Sequence, residues 1–271
     1  AAEVRETVEE VGRLCGADVG DPSTYGNFTG NRYGVVGKEP LVSPFLNRNR
    51  IHPNTVRAYQ LLYGDRPILP CFDRAAWMRP TDLSMAWDTP FSSPGLHLDV
   101  SPRAYFDPAE QAGVDAFLGG LTYARLGDFV RENNAKCAAH GEQIQGVLNL
   151  VDNHEEDGGF HCVPGSHARL RDWYDAAAPR LPAAVPCGRY VFTPTYREDR
   201  VLCSYTQRVC APAGSLILFS CTLAHGTRPN RSSHNRIIQF LRYIPQDTIP
   251  KSARRHRALA VDRILSSAQR P

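Results

Sequence analysis

The chain has 271 residues, of which 42% are hydrophobic, 22% charged and 9% aromatic, a globular composition that excludes wholesale disorder, coiled coil and collagen-like structure. A formal charge of +3 is too small to imply a nucleic-acid partner. No apolar run approaches the roughly 18 residues that a membrane span needs. The start is acidic (Glu3, Glu6, Glu9, Glu10) where a signal peptide would be basic, so the expectation is a mature N-terminus and a cytoplasmic protein without membrane partners. Eight cysteines, none in C-x-x-C spacing, read as reduced, mostly buried thiols, although their even number also permits disulfides. The sequons at Asn27 and Asn230 are the kind of triplet that arises by chance.

Taken in chain order, Val4, Val8, Val11, Leu14 and Cys15 recur at helical spacing and predict an amphipathic helix ending near Gly16. Residues 21–49, rich in Gly, Asn, Pro and Ser, read as loop with one short strand at Tyr33 to Val36. Pro53 opens a second helix whose apolar face is Val56, Tyr59 and Leu62, and Gly64 stops it. After Ala75 the texture changes to short segments broken by Pro and Gly. Strands are expected at Ile144 to Leu150, Phe160 to Val163, Arg200 to Tyr205, Ser215 to Phe219 and Ile237 to Ile244, and helices at Gly119 to Asn133 and His167 to Ala177. Lys251 to Arg257 reads as a solvated basic helix. This pattern predicts a mainly β sandwich or jelly roll with flanking helices. Without a repeat or linker it reads as one domain: 1–75 a helical and loop layer, 76–246 the β core, 247–271 a basic helix or tail.

Three residues stand out as metal ligands. His97 and Asp99 are two apart, so in a strand both project to one face and can grip a single cation. His225, expected on an extension of the Ser215 to Phe219 strand, would complete two His and one carboxylate, the set that leaves three coordination positions open in Fe(II) oxygenases. Alone, His-x-Asp is equally well a hydrogen-bonded surface pair. Eleven residues after His225, Arg236 enters the last strong strand, where a buried guanidinium can hold a carboxylate through two parallel hydrogen bonds; the ordinary alternative is a surface ion pair.

In this order, His97-Leu98-Asp99, then Gly158-Gly159-Phe160-His161-Cys162-Val163-Pro164-Gly165-Ser166-His167, then His225-Gly226-Thr227, then Arg236, the chain resembles the phytanoyl-CoA dioxygenase-like family of Fe(II)/2-oxoglutarate oxygenases. The resemblance runs from about Trp87 to Tyr243. It implies a double-stranded β-helix of the jelly-roll, cupin-like kind, with His97, Asp99 and His225 as iron ligands. Arg236 would hold the distal carboxylate of 2-oxoglutarate, and Thr227 would add a hydroxyl. Asn149 is the nearest inward polar candidate for a further co-substrate contact. The Gly158 to His167 stretch is then a structural turn, which removes His161 and His167 from the ligand set. Asn230 organises the turn before Arg236, while Trp77, Trp87, Cys162 and Cys221 belong to walls or core.

The implied cofactors are Fe(II), 2-oxoglutarate and dioxygen, with ascorbate as an activator in vitro. The implied reaction oxidises an unactivated C–H of a small molecule such as a natural product, amino acid or acyl thioester, with release of succinate and CO2. The Asp99 carboxylate favours hydroxylation over halogenation; desaturation, ring closure, epimerisation or endoperoxide formation would use the same ligands. A silent jelly-roll binding module and a cupin-type metalloenzyme without 2-oxoglutarate are the alternatives from other classes. Residues 101–140 and 27–50 are expected to form a lid, with Arg48, Arg50, Arg74 and Arg79 available to an acidic substrate.

Overall fold

The computed structural model of the chain describes residues 2–88 and 95–268. Helix α1 (Ala2–Leu14) turns Val11 and the following Cys15 into the core. Helix α2 (Pro44–Ile51) begins where the Ser43 side chain accepts from the Leu46 N–H and Pro44 supplies a preset φ. Helix α3 (Pro53–Tyr63) likewise starts on a proline and stops at Gly64, whose φ of 63° a side chain would resist.

The strands form two antiparallel five-stranded sheets. One contains β1 (Ile68–Pro70), β2 (Ala75–Met78), β4 (Ile144–Asn149), β8 (Leu216–Ser220) and β10 (Arg236–Pro245), in the order β1-β10-β4-β8 with β2 also on β10. The other runs β6-β3-β9-β5-β7, from β6 (Tyr190–Val191), β3 (His97–Leu98), β9 (His225–Arg228), β5 (Gly159–Cys162) and β7 (Gln207–Arg208). Between the strands come α4 (Pro102–Phe106), α5 (Pro108–Gly119), α6 (Gly127–Asn134), α7 (Ser166–Ala177) and α8 (Arg197–Ser204), and α9 (Lys251–Ala268) follows the last one. Side chains of both sheets line a shared cavity of about 370 Å³.

Antiparallel sheets with flanking helices are present, but the expectation of a mainly β chain is overturned: 43% of residues are helical and 18% are in strands. Most strands have two to six residues and only β10 reaches ten, so the helices supply much of the apolar cover. Helices α5 and α9, for example, add Val114, Leu118, Ala253, Ala260 and Ile264 to the cluster that contains Phe72 and Phe129.

Four local expectations fail for identifiable reasons. Arg200 to Tyr205 is not a strand: Arg200 to Ser204 belongs to α8 and Tyr205 caps its end, because fully buried Asp199 anchors that segment, accepting from Trp173 Nε1 (2.9 Å), Tyr190 Oη (2.8 Å) and the Thr193 N–H (2.9 Å). The helix expected over Gly119 to Asn133 is broken, with α5 ending where that segment was to begin and Tyr123 at φ 53° before α6. Its missed start is the Asp107-Pro108 pair, in which Asp107 caps the Ala109 N–H. The expected 21–49 loop runs into α2 from Pro44 onward, and its strand reduces to a single bridge between Val35 and Ala76. Finally, α9 is not wholly solvated.

Arg257 on α9 lies 4% exposed and grips the fully buried Glu132 carboxylate with Nε (2.7 Å) and Nη2 (3.0 Å), while Tyr123 Oη donates to the same group at 2.6 Å. Five of the eight free thiols are buried (Cys15, Cys71, Cys137, Cys162 and Cys221). No helix among the described residues is long and apolar enough to cross a membrane. Arg257→Ala is expected to leave Glu132 charged and buried and to lower stability by about 3–5 kcal/mol in urea denaturation. The double change Arg257→Met with Glu132→Leu should recover most of that loss.

Candidate active site

Strand β3 is only two residues long, yet it is paired on both sides: His97 lies opposite Val191 of β6 and opposite His225 of β9. That register sets the two imidazoles side by side, with ring centroids 4.5 Å apart. Asp99, on the same face two residues on, reaches His97 Nε2 with one oxygen (3.5 Å) and His225 Nε2 with the other (3.4 Å). One donor atom from each of the three residues falls within 4.8 Å of the others.

The protonation pattern fits a metal. His225 Nδ1 lies 2.8 Å from the Leu223 carbonyl and His97 Nδ1 3.4 Å from that of Gly95, so the Nδ1 hydrogens are taken and the Nε2 lone pairs face Asp99. Burial and neighbouring His225 push the His97 imidazole down to about 4, against the pull of Asp99. Burial pushes Asp99 up, but the contact with His225 and the adjoining His97 and Lys136 outweigh it, leaving the carboxyl well below its usual range. Neutral imidazole and ionised carboxylate are the forms a divalent cation requires.

His225 does not extend β8. The chain leaves the first sheet after Ser220, turns through Cys221 to Ala224, and enters the second sheet as β9, which brings His225 against His97. Two supports of Asp99 escaped the sequence reading: Gln145 Nε2 donates to Oδ2 (3.2 Å), and buried Lys136 donates to the main-chain oxygen (3.0 Å). Gln145 was legible by parity, since Gln145 and Val147 alternate toward the cavity on β4. Asn149 shares that parity but is too far along the strand; it lies outside the cavity lining and donates to the Ala211 carbonyl at 3.0 Å.

Arg236 and Thr227 both line the cavity. Arg236, 3% exposed, starts β10 opposite Met78; its Nη1 contacts the Met78 sulfur at 3.4 Å and its Nε has no partner. No carboxylate among the described residues pairs with it, and burial, reinforced by Arg208, pushes its pKa down to about 9. The glycine-rich turn makes room for it. Gly159 has φ 104°, and a side chain there would collide with the Arg236 guanidinium.

The remaining candidates separate clearly. His161 pairs in register with Gly226, and exposed His167 lies in the first turn of α7; neither belongs to the His97 set. Asn230 holds the turn before β10, donating to the His234 carbonyl (2.6 Å) and accepting from the Ser232 N–H (2.9 Å). Trp77 is core and Trp87 packs beside Tyr25, while Cys162 and Cys221 are buried. Of the expected lid, Asn31, Tyr33, Val35, Asn133 and Asn134 line the cavity. Of four arginines offered to a substrate, Arg48 pairs with Glu6 (2.5 Å), buried Arg50 donates to the Asp73 carbonyl (2.9 Å) and half-buried Arg79 to the Tyr25 carbonyl (2.6 Å); Arg74 alone lines the cavity.

The family model described as Phytanoyl-CoA dioxygenase (PhyH) matches residues 127–238. A "Putative phytanoyl-CoA dioxygenase" of Dictyostelium discoideum is 28% identical over 239 residues, which are 88% of this chain and 64% of that protein, so the chain spans under two thirds of its relative's length. Among solved structures, the GlcNAc Inducible Gene 2 protein of Candida albicans has a TM-score of 0.52 at 16% identity, over 79% of this chain and 54% of that one. EctD from S. alaskensis with bound Fe has a TM-score of 0.51 at 14% identity, over 92% and 70%. At these identities the structures show a shared fold. Residues 127–238 match that family model, and the chain is similar to the phytanoyl-CoA dioxygenases in sequence and shares a fold with these solved structures.

Replacing His225 by Ala is expected to abolish stoichiometric Fe(II) or Co(II) uptake, read by metal titration, while the far-ultraviolet circular dichroism stays that of the wild type. A variant that retained one tightly held metal would place the site elsewhere.

Proposed function

We propose that the chain is a dioxygenase that couples oxidation of a C–H bond in a small molecule to conversion of 2-oxoglutarate into succinate and CO2. In this reading the two sheets are the halves of a double-stranded β-helix within a single oxygenase domain. His97, Asp99 and His225 hold Fe(II), and Arg236 with Thr227 holds the distal carboxylate of 2-oxoglutarate. Arg236 carries the reading: a buried guanidinium without an acidic partner costs stability unless an anion joins it, and it shares the cavity with the three donors. A silent binding module has no use for that combination.

Bound iron and 2-oxoglutarate would supply the activation of dioxygen and the oxidising power. The chain's own part is placement. Gln145 and Lys136 fix the carboxylate and the backbone of Asp99, the carbonyls of Leu223 and Gly95 aim the imidazoles, and Val147, Phe160, Phe219, Ile238 and Phe240 form apolar walls that keep water out. With Asp99 in the donor set, a bound metal carrying 2-oxoglutarate would have no position to spare for a halide, which supports hydroxylation over halogenation. Free thiols and a small net charge support a cytoplasmic enzyme acting on a small molecule rather than on nucleic acid or membrane.

Incubation with 2-oxoglutarate, Fe(II) and ascorbate should release succinate, and chelation of the metal should stop it; a chain that loads iron and 2-oxoglutarate yet yields no succinate with any metabolite would be a binding module. Arg236→Ala should weaken 2-oxoglutarate binding by roughly 30-fold or more, as loss of a desolvated charge pair costs about 2–5 kcal/mol. Metal uptake should persist in that variant. An unchanged 2-oxoglutarate affinity would move the clamp to another residue.

A further inference from the structure

Four guanidinium groups line the cavity, from Arg74, Arg189, Arg236 and Arg242, against two carboxylates, from Asp73 and Asp99. Arg74 and Asp73 pair with one another at 3.0 Å. On the reading proposed above, Asp99 and Arg236 serve the metal and 2-oxoglutarate, and a dication with a dianion leaves the cavity's positive excess unchanged. Two cations remain. Arg242 is buried and already held by neutral acceptors, Asn133 at one end of its guanidinium and Gln143 (2.8 Å) at the other, so it acts as wall.

Arg189 differs in every respect. The β3–β6 register pairs His97 with Val191 and Leu98 with Tyr190, and continuing it by one step past the ladder's end would set Arg189 across from Asp99. Alternation along the ladder puts Arg189 and Val191 on the cavity side with His97 and Asp99, while Leu98 and Tyr190 enter the opposite core. Arg189 is exposed, as are the lining residues Val191 and Asn31, which marks the open end of the cavity. No hydrogen bond or ion pair holds its guanidinium among the described residues, although its charge is felt at His97.

We infer that Arg189 is a specificity residue that receives the carboxylate of a small organic acid, holding the substrate by its anionic end across the ladder from the metal ligands. A planar guanidinium matches a carboxylate in two parallel hydrogen bonds, and the uncompensated positive charge of the cavity draws an anion in before contact. A cavity of about 370 Å³ that also houses 2-oxoglutarate suits a substrate of modest size.

The test is anaerobic calorimetric titration of the full chain, loaded with Fe(II) and 2-oxoglutarate, with butanoate, hexanoate, octanoate and benzoate, each beside its primary amide. Wild-type protein should bind at least one acid about 30-fold or more tightly than its amide. Arg189→Gln should erase that preference while leaving amide affinity and melting temperature as they were, and Arg189→Lys should restore part of it. Equal binding of acid and amide, an acid preference that survives in Arg189→Gln, or no binding of any acid overturns the inference. Succinate release by the same wild-type preparation reports separately on the oxygenase reading, so either can fail without the other.

Discussion

The two-residue strand β3 is the constraint on which the rest of this structure depends. Because it is paired on both sides, His97 cannot slide by one residue without turning its imidazole out of the cavity, and the same register dictates which residue of β9 stands beside it. A longer strand would add rigidity, but two residues suffice when both edges are occupied. The cost falls on glycine: Gly226, next to His225, must lack a side chain because a Cβ there would run into the Gly95 carbonyl. A metal-ready donor set thus arises from backbone pairing first and side-chain chemistry second.

Around that ladder the interior carries several charged groups. Lys136 and Arg242 are nearly inaccessible, and burial with the nearby Arg242 pushes Lys136 down to about 8. Each has a distinct settlement: Lys136 on the main chain of Asp99, Arg242 on amide oxygens, Arg257 on Glu132. Arg236 alone among these buried cations has no oxygen acceptor among the described residues, its Nη1 contacting the Met78 thioether sulfur instead. The contrast between settled and unsettled buried cations is what distinguishes structure from function here. Arg257 and Glu132 tie the terminal helix to the body of the molecule, whereas the Nε of buried Arg236 is left without a partner.

The cavity walls divide the labour. Apolar side chains from both sheets, Val147, Ile238 and Phe240 from one and Phe160 from the other, exclude water from the centre, while the polar rim comes from the 31–35 segment, α6 and the start of β6. Such rims vary without disturbing the ladder, since they hang on loops and strand ends rather than on the paired core. Asn133 links the two zones, joining the Asp73 carboxylate to the Arg242 guanidinium.

The sequence by itself determined the donor types, their order and the helices with clean caps or faces, because His-x-Asp on one strand face, Gly158-Gly159 and a Pro-opened α3 are local statements of backbone geometry. It also pointed to Arg236, through its place eleven residues after His225 at the start of the last long strand. Tertiary structure alone decided that His225 lies in the opposite sheet from β8, that Arg200 to Tyr205 coils around buried Asp199, and that helices outweigh strands. It also decided that Gln145 rather than Asn149 reaches the centre, although both point the same way along β4. Parity is written in the chain, but depth is set by where the facing sheet ends, and that depends on residues far away in sequence.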